Sequence, residues 1–309
     1  MKMKKVLALL LSLCLVVSAP VAVFAADFDD TDGHWAEGAI DKWTDYGVLN
    51  GKGGDLFDPN APMKRGEAAV MFAKLLGLTE TADISGFADV SAEDWYADAL
   101  AKCVAAGIMN GVGDDQMNPE GTITREMFFT MFARALGIKP EASLNSEFAD
   151  AGEVSDWAEG YVNALINNGY VNGVSDDEIA PEIDINRASV VTLLNQTVKQ
   201  YVTEEGAVVD ASEGGLILVV ADDVKIENAP EGTVVVTAPE TTGTTANDQP
   251  IAKDDFVEIT VPEEPVVTPG GSGNGGGVHD SNNNETQSPT SPQSPNKGQS
   301  PAKSPGTQA

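Results

Sequence analysis

The chain has 309 residues and carries 48 acidic against 18 basic side chains, a formal charge of −30 at neutral pH. A surface so one-sided repels nucleic acid and anionic lipid. Two histidines, His34 and His279, are too few for a multi-histidine metal site, and they lie too far apart in kind of sequence, one beside Trp35 and one in a polar tail, to build a His-based triad.

At the N-terminus Lys2, Lys4 and Lys5 precede an apolar run over residues 6–17, and Val23-Phe24-Ala25 has suitable residues at both cleavage-site positions. This predicts a secretory signal peptide over residues 1–25, because a membrane anchor needs roughly 20 apolar residues. Cleavage removes three lysines, taking the formal charge from −30 to −33, and removes Cys14, leaving Cys103 with no intramolecular disulfide partner. No later apolar run reaches membrane-spanning length, so no membrane insertion is expected after cleavage. On such an acidic chain an anionic ligand must be met by locally placed cations, which makes each arginine informative.

Phe28-Asp29-Asp30, Phe87-Ala88-Asp89 and Phe148-Ala149-Asp150 each open a unit, 59 and 61 residues apart. Later landmarks keep step: Trp35, Trp95 and Trp157; Gly51, Gly111 and Gly173; Arg65, Arg125 and Arg187. The chain has four tryptophans and four arginines, and three of each sit at equivalent places. Helical spacing of Ala36, Ala39, Ile40 and Trp43, then of Ala68, Ala69, Phe72, Leu75 and Leu76, predicts two short helices per unit around a turn-rich loop. Asp94 and Thr124 are expected N-caps, with Gly47, Gly77, Gly107 and Gly137 as C-terminal stops. One unit has too small a core to stand alone; three packed together bury each apolar stripe.

The first unit, with Trp35, Gly51, Phe57-Asp58-Pro59 and Met63-Lys64-Arg65-Gly66-Glu67, resembles an S-layer homology repeat. The second matches best, with Trp95-Tyr96, Gly107-Ile108-Met109-Asn110-Gly111 and Ile123-Thr124-Arg125-Glu126. The third has Trp157, Gly169-Tyr170-Val171-Asn172-Gly173 and Ile185-Asn186-Arg187-Ala188. The resemblance implies a mainly α fold over residues 27–80, 86–140 and 147–201, packed as a pseudo-threefold spindle around a central helical bundle. It also implies grooves between lobes that hold pyruvylated secondary cell wall polysaccharide or a peptidoglycan-linked glycan.

Each second helix is expected to begin at its arginine, where the helix dipole is already positive and amides are unpaired. An anion there would satisfy amides and guanidinium together. Arg65, Arg125 and Arg187 are therefore the leading ligand-binding residues, in agreement with the motif arginine of the resembled family. Ion pairing to Asp30, Asp89 or Asp150, also placed in the candidate site, is the other reading. Gly51, Gly111 and Gly173 either admit the sugar to the backbone or serve Asn-Gly turns with positive φ. Trp35, Trp95 and Trp157 either stack on a pyranose or anchor the core. In the third repeat Asn186 replaces threonine, Ser189 a glutamate, and Ile179-Ala180-Pro181 the aromatic loop, which predicts a weaker groove. The acidic loops around Asp58, Asp114-Asp115 and Asp176-Asp177-Glu178 lack EF-hand spacing and read as solvated turns, so neither metal nor cofactor is expected.

Residues 202–262 hold short β-rich runs at 216–220, 224–226, 233–237 and 256–261, with a turn at Ala229-Pro230-Glu231-Gly232, predicting a small β module. Residues 263–309 have the Pro, Gly and Ser composition of a disordered tail. No region outside the repeats is large enough for an ordinary catalytic domain, so a non-enzymatic anchor is expected, with S-layer or other surface proteins as further partners.

Overall fold

The computed structural model describes residues 28–253 except 146, and residues 256–260. The signal peptide expected at 1–25 and the tail expected at 263–309 lie outside them. Among the described residues six α-helices come first: α1 Glu37–Asp45, α2 Arg65–Leu75, α3 Ala97–Ala105, α4 Arg125–Ala135, α5 Asp156–Asn167 and α6 Arg187–Thr197. Eight strands follow: β1 Val198–Val202, β2 Val208–Asp210, β3 Leu216–Val219, β4 Lys225–Glu227, β5 Val234–Thr237, β6 Thr245–Ala246, β7 Gln249–Pro250 and β8 Phe256–Glu258.

The second helix of each repeat starts at its arginine, as expected, and is buried on nearly every side. Thr124 caps α4, its hydroxyl accepting from Met127 N at 3.4 Å, and Asn186 does the same work for α6 on Ser189 N at 2.8 Å. Asp94 is not a cap: α3 begins at Ala97, and the Asp94 carboxylate instead accepts the Ser91 N–H one turn earlier. Gly47, Gly77, Gly107 and Gly137 follow the helix ends with φ between 61° and 71°, a conformation costly for other residues.

Packing runs between repeats. Helix α2 lies on α3, α4 on α5, and α6 on α1, so each second helix meets the first helix of the next repeat and the third closes on the first. A backbone cycle seals the centre: Met63 N–H donates to Ile185 O (2.8 Å), Ile185 N–H to Ile123 O (3.0 Å) and Ile123 N–H to Met63 O (3.1 Å). Phe72 stacks on Phe128 and Phe128 on Phe132, with centroids 5.8 and 5.6 Å apart.

The third repeat ends sooner than its expected limit at residue 201, because β1 starts at Val198 directly after α6. The β region has more order than its short runs predict. Strands β1, β3 and β5 are parallel with antiparallel β8 on the edge, and β2, β4 and β6 are parallel with antiparallel β7. Val198, Leu216 and Val234 stand in register at steps of 18 residues, so the chain winds three coils of a two-sheet solenoid. Strand alternation divides β3 and β5 between two cores: Leu216, Leu218, Val234 and Val236 face the helices, while Ile217, Val219 and Val235 face the second sheet.

Tyr201 fastens the solenoid to the first repeat. Its ring meets Trp43 and Tyr46, with centroids at 5.5 and 4.9 Å, and its hydroxyl donates to the Leu75 carbonyl at 2.9 Å. Burial pushes the phenol up to about 12, so it keeps its proton in ordinary conditions. Tyr201→Phe is expected to lower stability by about 1 kcal/mol, since it leaves a buried carbonyl without its donor. Urea denaturation of both proteins measures it, and an unchanged midpoint would mean that the hydroxyl adds nothing to the dock.

Candidate functional site

The three repeat arginines are 4–8% exposed, and each reaches across to the next repeat. Arg65 Nη2 donates to the Asn110 carbonyl, Arg125 Nη2 to that of Asn172 (3.2 Å) and Arg187 Nη2 to that of Asn50 (2.6 Å). Arg125 Nε adds a bond to Ile179 O (2.8 Å) and Arg187 Nε one to Phe57 O (2.9 Å), whereas Arg65 Nε is buried with no partner among the described residues. Burial pushes all three guanidinium groups below their usual value. Asp150 partly offsets this for Arg125, and Glu67, Asp58 and Asp30 do so for Arg187, but Arg134 depresses Arg65 further. The helix-start amides do not wait for a ligand, contrary to expectation. Arg65 and Gly66 donate to Gly121 O and Pro119 O, Arg125 and Glu126 to Ile183 O and Pro181 O, and Arg187 and Ala188 to Ala61 O and Pro59 O. Neighbouring repeats have taken the first two amides of each of these helices.

Gly51, Gly111 and Gly173 lie outside the positive-φ region, so the turn reading does not explain them. Each sits under its repeat's opening phenylalanine: an added Cβ would come within 2.5 Å of Phe28 Cε1, 2.6 Å of Phe87 Cε1 or 2.8 Å of Phe148 Cε1. Asp30, Asp89 and Asp150 are occupied as loop clasps. Their carboxylates accept from Phe57 N and Asp58 N, from Met117 N and Asn118 N, and from Ile179 N and Ala180 N, all at 2.7–2.9 Å. The one ion pair made by a repeat arginine among the described residues joins Arg187 to Glu67 at 3.7 Å.

Trp35, Trp95 and Trp157 are 65%, 62% and 51% exposed, so they are not core anchors; Trp43 fills that role. Trp95 and Trp157 stand over two grooves, of about 310 and 420 Å³. The first groove combines Arg187, the Asn50-Gly51 loop, Lys52, Lys74 and Trp95 with one acid, Glu67, which pairs with Lys52. The second combines Arg65, the Asn110-Gly111 loop, Arg134 and Trp157, and no carboxylate among the described residues lines it, because Met127 stands where the first repeat has Glu67. Lys74 and Arg134 were not singled out by the sequence. Each lies nine residues after its repeat arginine, a register that repeat alignment carried to the helix end would have exposed. The equivalent residue in the third repeat is Gln196, so Arg125 has no second cation at that place.

The S-layer homology domain model matches residues 27–69, 86–126 and 147–191. The chain carries three tandem S-layer homology domains. Over 192 residues it is 33% identical to the Surface-layer 125 kDa protein of Lysinibacillus sphaericus, covering 60% of this chain and 16% of that one. It is 32% identical over 160 residues to a Cellulosome-anchoring protein of Acetivibrio thermocellus, covering 49% and 35%. It is also 30% identical over 171 residues to Exoglucanase XynX of Acetivibrio thermocellus, covering 54% and 16%. The chain thus spans about a third or less of each of these relatives.

Two features of these S-layer homology domains are open to measurement. Ala180 has φ 54° where the other two domains place Asp58 and Asn118 in the same left-handed conformation. Ala180→Asn is expected to raise stability by about 1 kcal/mol, because asparagine tolerates that region better than alanine; a thermal melt with no gain would refute the strain. At Asp89, burial pushes the carboxyl up, but bonds from the Met117, Asn118 and Asp89 amides outweigh it and hold the group below its usual range. Its stabilisation is present above the unfolded-state value of about 3.9 and disappears as pH falls through the lower folded-state value. The stability difference between wild type and Asp89→Asn should therefore shrink in acid; a difference constant with pH would show that the clasp does not depend on charge.

Proposed function

We propose that the three domains form a pseudo-threefold spindle that anchors the protein to the bacterial cell wall by holding an acidic, pyruvylated secondary polysaccharide in its grooves. The closed packing of α2 on α3, α4 on α5 and α6 on α1 supports the spindle. The observation that carries the ligand is the second groove: on a chain of formal charge −30, it faces Arg65 and Arg134 with no carboxylate in its lining, and the buried Arg65 Nε lacks a partner. A ketal carboxylate fits between two guanidinium groups, and Trp157 offers a flat apolar face to a pyranose. Cell-wall anchoring and a cell-surface location also agree with the S-layer and anchoring relatives. The anchor acts without catalysis of its own.

The first groove, with Arg187, Lys74 and Lys52 partly balanced by Glu67, is a second site, and the third, with Gln196, is the weakest. Two moderate sites on a repeating polymer reinforce one another through effective concentration. Loss of one charge-assisted bond, about 1.5–3 kcal/mol, then weakens without abolishing attachment.

The test is co-sedimentation of the full chain with walls of the producing bacterium, left intact, stripped of secondary polysaccharide, or lacking pyruvate. Arg134→Gln, which copies the third groove, and Trp157→Ala, which removes an exposed ring, should each reduce binding about tenfold or more while leaving the thermal melt unchanged. The equivalent change at Trp35 should matter least. Pelleting indifferent to polymer, pyruvate and these variants would overturn the reading.

A further inference from the structure

Four Asn-Gly pairs fall among the described residues, and the fold restrains them unequally. Asn168-Gly169 is tied down: Gly169 donates its N–H to Ile166 O at 2.9 Å, and the Asn168 amide donates to Glu141 Oε1 (2.9 Å) and Ala164 O (2.8 Å). Asn50 is partly held, its amide set between Leu49 O and Lys74 Nζ at 3.0 and 2.9 Å. Asn110 and Asn172 are exposed, neither side-chain amide makes a protein hydrogen bond, and the amides of Gly111 and Gly173 meet no protein acceptor among the described residues.

We infer that Asn110 is a site of spontaneous deamidation, and that its conversion loosens the second groove. The Gly111 nitrogen attacks the Asn110 side-chain carbonyl carbon, the N–Cγ bond forms as the amide proton passes to solvent, and the side-chain nitrogen leaves as ammonia. Water then opens the five-membered imide, at Cγ to give aspartate or at the backbone carbonyl to give isoaspartate. One water is consumed and one ammonia released, with no oxidant or other reactant. The fold cannot remove the reactive pair by changing the glycine, since a Cβ at 111 would meet Phe87 Cε1 at 2.6 Å and Gln116 O at 3.0 Å.

This second step rests on the proposed function. A carboxylate at 110 would enter the groove that Arg65 and Arg134 line, beside the Arg65 guanidinium already bonded to the Asn110 carbonyl, and compete with an acidic ligand. Isoaspartate would also lengthen the backbone by one methylene and turn the carbonyl that Arg65 grips into a free carboxylate. Attachment would then weaken with the age of the molecule on the cell surface.

The experiment ages the full chain in warm, mildly alkaline buffer and follows each Asn-Gly peptide by mass spectrometry. Asn110 should convert several-fold faster than Asn168; equal or slower conversion would overturn the assignment. Wall pelleting of unaged Asn110→Asp and Asn172→Asp then tests the consequence. Asn110→Asp should bind about tenfold more weakly, and Asn172→Asp, in the groove with Gln196, should change little. Equal effects would sink the groove-specific step. If unaged wild type fails to pellet, the anchoring reading and that step fall together, while the peptide rates still decide the chemistry.

Discussion

Three buried guanidinium groups hold the repeats together, each extending from the start of one second helix to the asparagine carbonyl of the next repeat. Charge is costly to bury, and the depressed values of all three arginines record that cost. Backbone carbonyls offset it, as do aromatic faces: Arg125 lies 4.9 Å from the Phe129 centroid and Arg187 4.3 Å from that of Phe57. Because the third link returns to the first repeat, no repeat is terminal, and the closed central core follows from that closure.

The same links create the grooves. An arginine that grips the Asn-Gly loop of its neighbour fixes one wall, the helix after that loop supplies the floor, and the exposed tryptophan of the following repeat forms the other wall. The arginines thus serve the structure through the next repeat's carbonyls, not through the ion pairs expected with Asp30, Asp89 and Asp150. What separates the grooves is the side chain nine residues along: lysine, arginine or glutamine. Charge within each groove, rather than the framework common to all three, distinguishes them.

The solenoid is part of this framework. Leu216, Leu218, Val234 and Val236 complete the helical core, so a chain cut near residue 200 would expose that apolar face and lose the Tyr201 dock. A boundary drawn where helix-period residues give way to β-branched ones does not coincide with a boundary of stability. Thr79 and Glu80 add a polar clasp, their backbone amides meeting the Glu240 carboxylate.

Repetition made the repeats, their helix starts at Arg65, Arg125 and Arg187, and the glycine stops legible, because cap chemistry and helical periodicity are local. The β runs were legible as strands, since Val and Ile at close spacing favour extended chain. Their solenoid order was not, because parallel pairing 18 residues apart is decided by which faces find a core. The arginines' partners were equally hidden: a guanidinium at a helix start looks mismatched with the dipole until the next repeat's carbonyls are in place. Trp95 and Trp157 in the grooves, Trp43 in the core, and the pairing of Arg65 with Arg134 depend on inter-repeat contacts. By itself the sequence determined the units and their local geometry; only the tertiary structure decided which side chains face one another, because burial and charge pairing are set by closure of the ring.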